Sequence, residues 1–173
     1  MEKHKSCSFF GHRKIILNDK LKLLIKENVE DLIVNHKVEN FFFGSKSEFN
    51  DLCHLIVTEL KAKYPNIKRI NYTCKSESCT LDTNIEELEK KYFQVLKKEI
   101  KLQGYEKEIE FKTKYLAGKA SYIERNQAMI DDSDFCVFYY NESYIPTNKT
   151  NSGTKIAYKY ALKRNKKILN LFY

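Results

Sequence analysis

The chain has 173 residues, 42% of them hydrophobic, which suffices for one domain with its own core and excludes a chain disordered by composition. Its net charge is +8 (31 basic against 23 acidic residues), which favours anionic partners, but the lysines are scattered and mixed with glutamates, unlike a nucleic-acid surface. No apolar run approaches the roughly 18 residues of a membrane span, the start is unlike a signal peptide, and five cysteines without a framework spacing suit a reducing cytoplasm.

In chain order, a short apolar run over 6–10 reads as a buried strand and ends in Gly11-His12-Arg13. A glycine there lets the backbone turn sharply and approach a ligand, and Arg13 adds a planar charged fork suited to phosphate. His12 is either an acid–base group or a locally hydrogen-bonded ring. A helix is expected over 18–36 and a second strand over 40–43. Gly44-Ser45-Lys46-Ser47-Glu48 follows, with Ser45 or Ser47 suited to cap a helix and Glu48 suited to its macrodipole. That helix carries the clearest stripe of the chain: Phe49, Leu52, Cys53, Ile56, Val57 and Leu60.

A strand over 68–73 leads to a polar stretch at 74–83, read as a surface loop, then a helix over 84–102 and a strand over 109–113. The helix over 119–131 places Tyr122, Arg125, Asn126 and Met129 on one face. Such a face suits a site that stacks a base and holds charge; the alternative is an Arg125 paired with Asp131 or Asp132. A strand over 135–140 is followed by Tyr144, and Tyr139, Tyr140 and Tyr144 are candidates to line a base pocket. Asn151-Ser152-Gly153-Thr154 then opens a helix over 152–164 that is expected to bury Ile156, Ala157, Tyr160 and Ala161, before a last strand over 167–172.

Strands alternating with helices imply βαβ units, so the expected fold is α/β: a mainly parallel sheet, helices on both faces, a Rossmann-like three-layer sandwich in one domain over 1–173. Gly11, Gly44 and Gly153 would then meet at the carboxyl edge of the sheet, where ligands bind and helix N-termini offer free N–H groups. There is no GxxxxGK[ST] loop and no GxGxxG, which disfavours a dinucleotide redox cofactor. His4, His12, His36 and His54 have no metal-binding spacing, and Cys74 and Cys79 have no second pair, so neither a metal nor a cofactor is expected.

Taken together, Cys-Ser-Phe-Phe-Gly-His-Arg at 7–13, Phe-Gly-Ser at 43–45, Arg-Asn-x-x-Met-Ile-Asp-x-Ser-Asp at 125–134 and Ser-Gly-Thr at 152–154 resemble the SLOG superfamily. The likeness is greatest to its small YpsA-like branch, related to the LOG enzymes and to DprA, and it spans nearly the whole chain in order. It implies a Rossmann-like domain that binds a nucleotide or nucleotide derivative. LOG enzymes cleave the bond between base and ribose phosphate, SLOG domains of defence systems sense nucleotide messengers, and DprA-type relatives bind DNA. This chain departs from the LOG pattern where Ala157 stands in place of the catalytic glutamate, and Asn50 replaces the aspartate that usually follows the phenylalanine. Arg125 matches the family's catalytic arginine.

The expectation is therefore binding rather than hydrolysis. The ligand set is Gly11, His12, Arg13, Gly44, Ser45, Arg125, Asn126, Met129, Ser152, Gly153 and Thr154. Cleavage of an N-glycosidic bond would need a carboxylate near the anomeric carbon, for which Glu48 and Glu142 are the candidates beside Arg125. The partner is a nucleotide-derived small molecule, signalling nucleotides of phage defence or counter-defence included. A homodimer or higher homo-oligomer is expected by analogy only.

Overall fold

The computed structural model describes residues 4–44, 47–73, 105–110, 119–144 and 152–173. Six strands, β1 (Lys5–Gly11), β2 (Val38–Phe43), β3 (Lys68–Thr73), β4 (Lys107–Glu110), β5 (Phe135–Tyr139) and β6 (Lys167–Asn170), form one sheet in the order β4-β3-β2-β1-β5-β6. Every pairing in it is parallel. The described helices are α1 (Asp19–Val34), α2 (Glu48–Lys61), α3 (Lys119–Asp132) and α4 (Gly153–Lys163). The expected α/β, Rossmann-like three-layer sandwich is what is found. The fourth strand begins two residues earlier than expected, with 111–113 outside the described residues, and the sixth ends at Asn170 rather than 172; the expected helix over 84–102 and loop over 74–83 also lie outside the described residues.

Side chains alternate between the two faces of each strand. Cys7, Phe9, Phe41, Phe43, Phe135 and Val137 point to one face, where they pack with Leu21, Ile25 and Val29 of α1 and with Phe49, Cys53, Ile56 and Val57 of α2. Phe10, Phe42, Cys136 and Phe138 point to the other, against Met129 and Ile130 of α3 and Ala157 and Ala161 of α4. Because both faces are covered, a strand can read as a near-continuous apolar run, as the sequence of β5 does. The stripe read for α2 is buried in full, whereas in α4 Ile156 and Tyr160 are only half-buried. Both α1 and α2 start on a side-chain cap: Asn18 Oδ1 accepts from the Leu21 N–H at 2.8 Å, and Ser47 Oγ accepts from the Asn50 N–H at 3.1 Å.

The chain runs outward from β1 to β4, then returns to the other side of β1 as β5. This reversal places a topological switch point between the ends of β1 and β5. Two glycines fix how closely the layers meet there. A Cβ on Gly11 would fall 2.5 Å from Cβ, Cγ and Cδ1 of Phe49, so the first turn of α2 rests directly on the end of β1. A Cβ on Gly44 would fall 2.6 Å from the Tyr72 carbonyl oxygen and 3.2 Å from Met129 Sδ.

Neither glycine has a left-handed φ, so both are required for space rather than for conformation. Gly11→Ala and Gly44→Ala are therefore each expected to destabilise the fold by about 1–3 kcal/mol, the usual cost of overpacking. Gly153→Ala, whose new Cβ meets nothing within 4 Å, is expected to be neutral or to stabilise by up to about 1 kcal/mol through helix propensity. Urea denaturation of the three variants, with a shift of midpoint at constant slope, checks the contrast.

Candidate functional site

In a parallel sheet each crossover helix begins at the carboxyl edge, and here the first turns of α2, α3 and α4 all do so. The position of α2 is set by Phe49. Its ring fills the space over Gly11 and stacks on Tyr139 of β5 at 5.6 Å between centroids, so it bridges the switch point. The loop after β1 is fastened to the same turn: the Glu48 N–H donates to the Arg13 carbonyl at 2.9 Å, and Glu48 Oε2 accepts from the Ile15 N–H at 2.8 Å.

On the opposite face α3 and α4 run side by side in one direction. Near their C-terminal ends Tyr160 Oη donates to Asp131 Oδ2 at 2.9 Å, and Arg164 Nε pairs with Asp131 Oδ1 at 2.8 Å. Counting back from that contact by the same number of residues, from 131 to 125 and from 160 to 154, puts Arg125 and Thr154 at one height, about 9 Å nearer the carboxyl edge at 1.5 Å per residue. Met129 supplies a second ruler. Its sulfur lies under Gly44, and Arg125, one turn earlier in α3, stands about 6 Å further toward that edge.

Gly11, Gly44, Arg125 and the start of α4 are thus gathered at one edge of the molecule. Arg125 is almost wholly buried; its Nη2 donates to Asn126 Oδ1 at 3.2 Å, and its guanidinium lies 5.5 Å from the Tyr122 ring centre. Asn126, half-buried, accepts from both Nε and Nη2 of the guanidinium. At the start of α4, Ser152 Oγ accepts from the Lys155 N–H at 3.1 Å and the Ser152 carbonyl accepts from the Ile156 N–H at 3.1 Å. Among the described residues the N–H groups of Gly153 and Thr154 have no partner, and the space beside Gly153 is open. No acidic residue occupies the first turn of α4, so its positive end is not neutralised from within.

Other expected residues take different places. Met129 has no exposed surface; it belongs to the core under Gly44 and is not offered to a ligand for stacking. Arg13 is exposed, and it is its carbonyl that is engaged, by Glu48. Glu48 accepts from the loop after β1, and Glu142 lies exposed in the turn 141–144 that follows β5. Ser45 lies outside the described residues. The pairing considered for Asp131 with Arg125 is instead made with Arg164 and Tyr160, and Asp132 receives the Tyr72 hydroxyl.

His12 shows a function that its sequence position did not reveal. Its ring sits 4.7 Å from that of Tyr144, with Tyr139 and Tyr140 at 6.4 and 6.1 Å, and its Nε2 accepts the Asn141 N–H at 2.9 Å. This bond ties the end of β1 to the loop after β5 and requires a neutral ring with its proton on Nδ1. Burial pushes the His12 pKa below the ordinary 6.5 in the same sense. The tyrosines read as a base pocket are therefore in part the walls around this ring.

Comparison with models of known protein families and with curated proteins found no match. Among the described residues there is no group of three or more His, Cys, Asp or Glu that could hold a metal ion, and no helix long and apolar enough to cross a membrane.

The His12 contact has a pH consequence. A ring whose pKa is depressed by folding binds its proton more readily in the unfolded chain. Its contribution to stability is then complete above pH 6.5 and is lost as the pH falls below 6.5 through the lower value of the folded protein. Melting temperatures taken through this window are expected to fall more steeply for the wild type than for His12→Gln, which keeps an acceptor but does not titrate. Parallel curves for the two proteins would remove His12 as the cause.

Proposed function

We propose that this protein is a nucleotide-binding domain of the SLOG kind, similar to its YpsA-like branch, and that it binds a nucleotide or nucleotide derivative at the carboxyl edge of the sheet. The observation that carries the reading is the open start of α4: two N–H groups without a partner among the described residues, a glycine with free space beside it, and a first turn without acid, level with the buried Arg125. Such a helix end takes an anionic oxygen without rearrangement. Arg125, oriented by Asn126 and Tyr122, adds fixed positive charge beside it. The tyrosines around His12, with Tyr144 exposed, supply aromatic faces of the kind on which a base stacks.

The reading is of binding, and of sensing or sequestering a signalling nucleotide, rather than of cleavage. Ala157, at the place of the LOG glutamate, lies in the core, and Glu48 is already engaged. The ligand is a small molecule; no basic arm or stripe favours nucleic acid.

A panel of mono-, di- and cyclic nucleotides and ADP-ribose species is expected to contain a member that raises the melting temperature, by an amount that grows with ligand concentration. Gly153→Asp, which sets a carboxylate at the open helix end, is expected to abolish that rise while leaving the unliganded protein folded. Release of free base from the stabilising ligand would instead establish an N-glycosidase, and a melting temperature indifferent to every member would sink the proposal.

A further inference from the structure

The start of α2 differs from that of α4 in two ways that suggest which part of a nucleotide each receives. Its first turn carries two acids, Glu48 and Asp51, so its positive end is already balanced and an anionic oxygen gains little there. It also carries Asn50, which is 96% buried (4% exposed) and whose side-chain Nδ2 has no hydrogen-bond partner. Its backbone N–H, by contrast, is satisfied by Ser47 Oγ at 3.1 Å. A buried amide donor without an acceptor costs the protein the full desolvation of that group. Native cores largely avoid this, so an exception calls for an explanation, of which a bound group is one.

The helix places this donor at the carboxyl edge. Asn50 and His54 are one turn apart on one stripe of α2. The His54 ring stands edge-on to Phe43 of β2 at 4.9 Å, and side chains of a helix lean toward its N-terminus. Asn50, one turn earlier than His54, therefore lies toward the end of β2, next to the Phe49 that spans the switch point.

Resting on the nucleotide-binding reading above, we infer that Asn50 Nδ2 donates a hydrogen bond to a sugar hydroxyl of the ligand, whose phosphate lies at the start of α4. An uncharged oxygen is what a balanced helix end admits. A hydroxyl oxygen is such an acceptor and takes the hydrogen bond of an amide donor.

The test uses the full chain with the stabilising nucleotide from the panel and its 2′-deoxy and 3′-deoxy analogues. Asn50→Leu, of similar volume and apolar, is expected to melt without ligand at the wild-type temperature or above, because it removes an unpaired donor. It is expected to bind the ribonucleotide about tenfold more weakly, and Asn50→Ala serves where the leucine packs badly. One deoxy analogue is expected to lose the same factor on the wild type and to lose nothing further on the variant. Unchanged affinity in both variants would overturn the inference while the nucleotide reading stands. So would deoxy analogues that bind the wild type as well as the ribonucleotide does, or an Asn50→Leu protein that melts lower yet binds normally. A wild type that binds no nucleotide at all would take down both readings, and is told apart from these by that protein alone.

Discussion

The contact of Phe49 with Gly11 is the constraint on which the carboxyl edge depends. Without a side chain at position 11 the first turn of α2 settles onto the end of β1, and the Phe49 ring reaches across to Tyr139. That placement brings Glu48 within reach of both the Arg13 carbonyl and the Ile15 N–H, which pins the loop after β1. It also determines where Asn50 stands. Just after β2, Gly44 performs the corresponding task for the other face, where its missing side chain admits Met129 Sδ and the Tyr72 carbonyl close to the backbone. The two glycines act on packing, and through packing they decide the shape of the edge.

Parallel strands send the beginnings of α2, α3 and α4 to one side of the sheet, and these beginnings are not equivalent. The start of α2 is capped by Ser47 and balanced by acids, while that of α4 is capped by Ser152 and has no acid in its first turn. An anion consequently gains more from α4 than from α2. The two helix starts therefore differ in charge: the first turn of α4 holds no acid, and that of α2 holds Glu48 and Asp51.

The architecture was legible in the sequence because it rests on local signals: apolar runs of strand length, a clean stripe in α2, and serines or asparagines at helix starts. The site was legible only at the level of loops. Gly11, Gly44 and Gly153 look alike in sequence, each beside a strand or a helix start, yet two are filled by protein and one is open. What distinguishes them is which distant side chain arrives, and no spacing along the chain records that. The same limit applies to Met129, whose place in a polar face suggested contact with a ligand, whereas its neighbour across the layer, Gly44, draws it into the core. His12 is the converse case. Its partner, Asn141, is far away in sequence and becomes adjacent only because Gly11 and Tyr139 are in register.

The distribution of buried polar groups gives an independent view of the same edge. Along the middle of the strands the core is apolar, with Ser8 the main exception, held against Cys136. Ser47, Asn50, Arg125 and Thr154 are buried instead in the N-terminal parts of three different helices. Burying such groups costs stability unless each is satisfied, and a fold selected for stability alone has apolar residues available for positions of that size. Among them the Asn50 amide Nδ2 lacks an acceptor, a local cost in stability. Sites where local rules are broken in concert are where function is expected. Here the exception is Asn50, at the carboxyl edge beside the point where the strand order reverses.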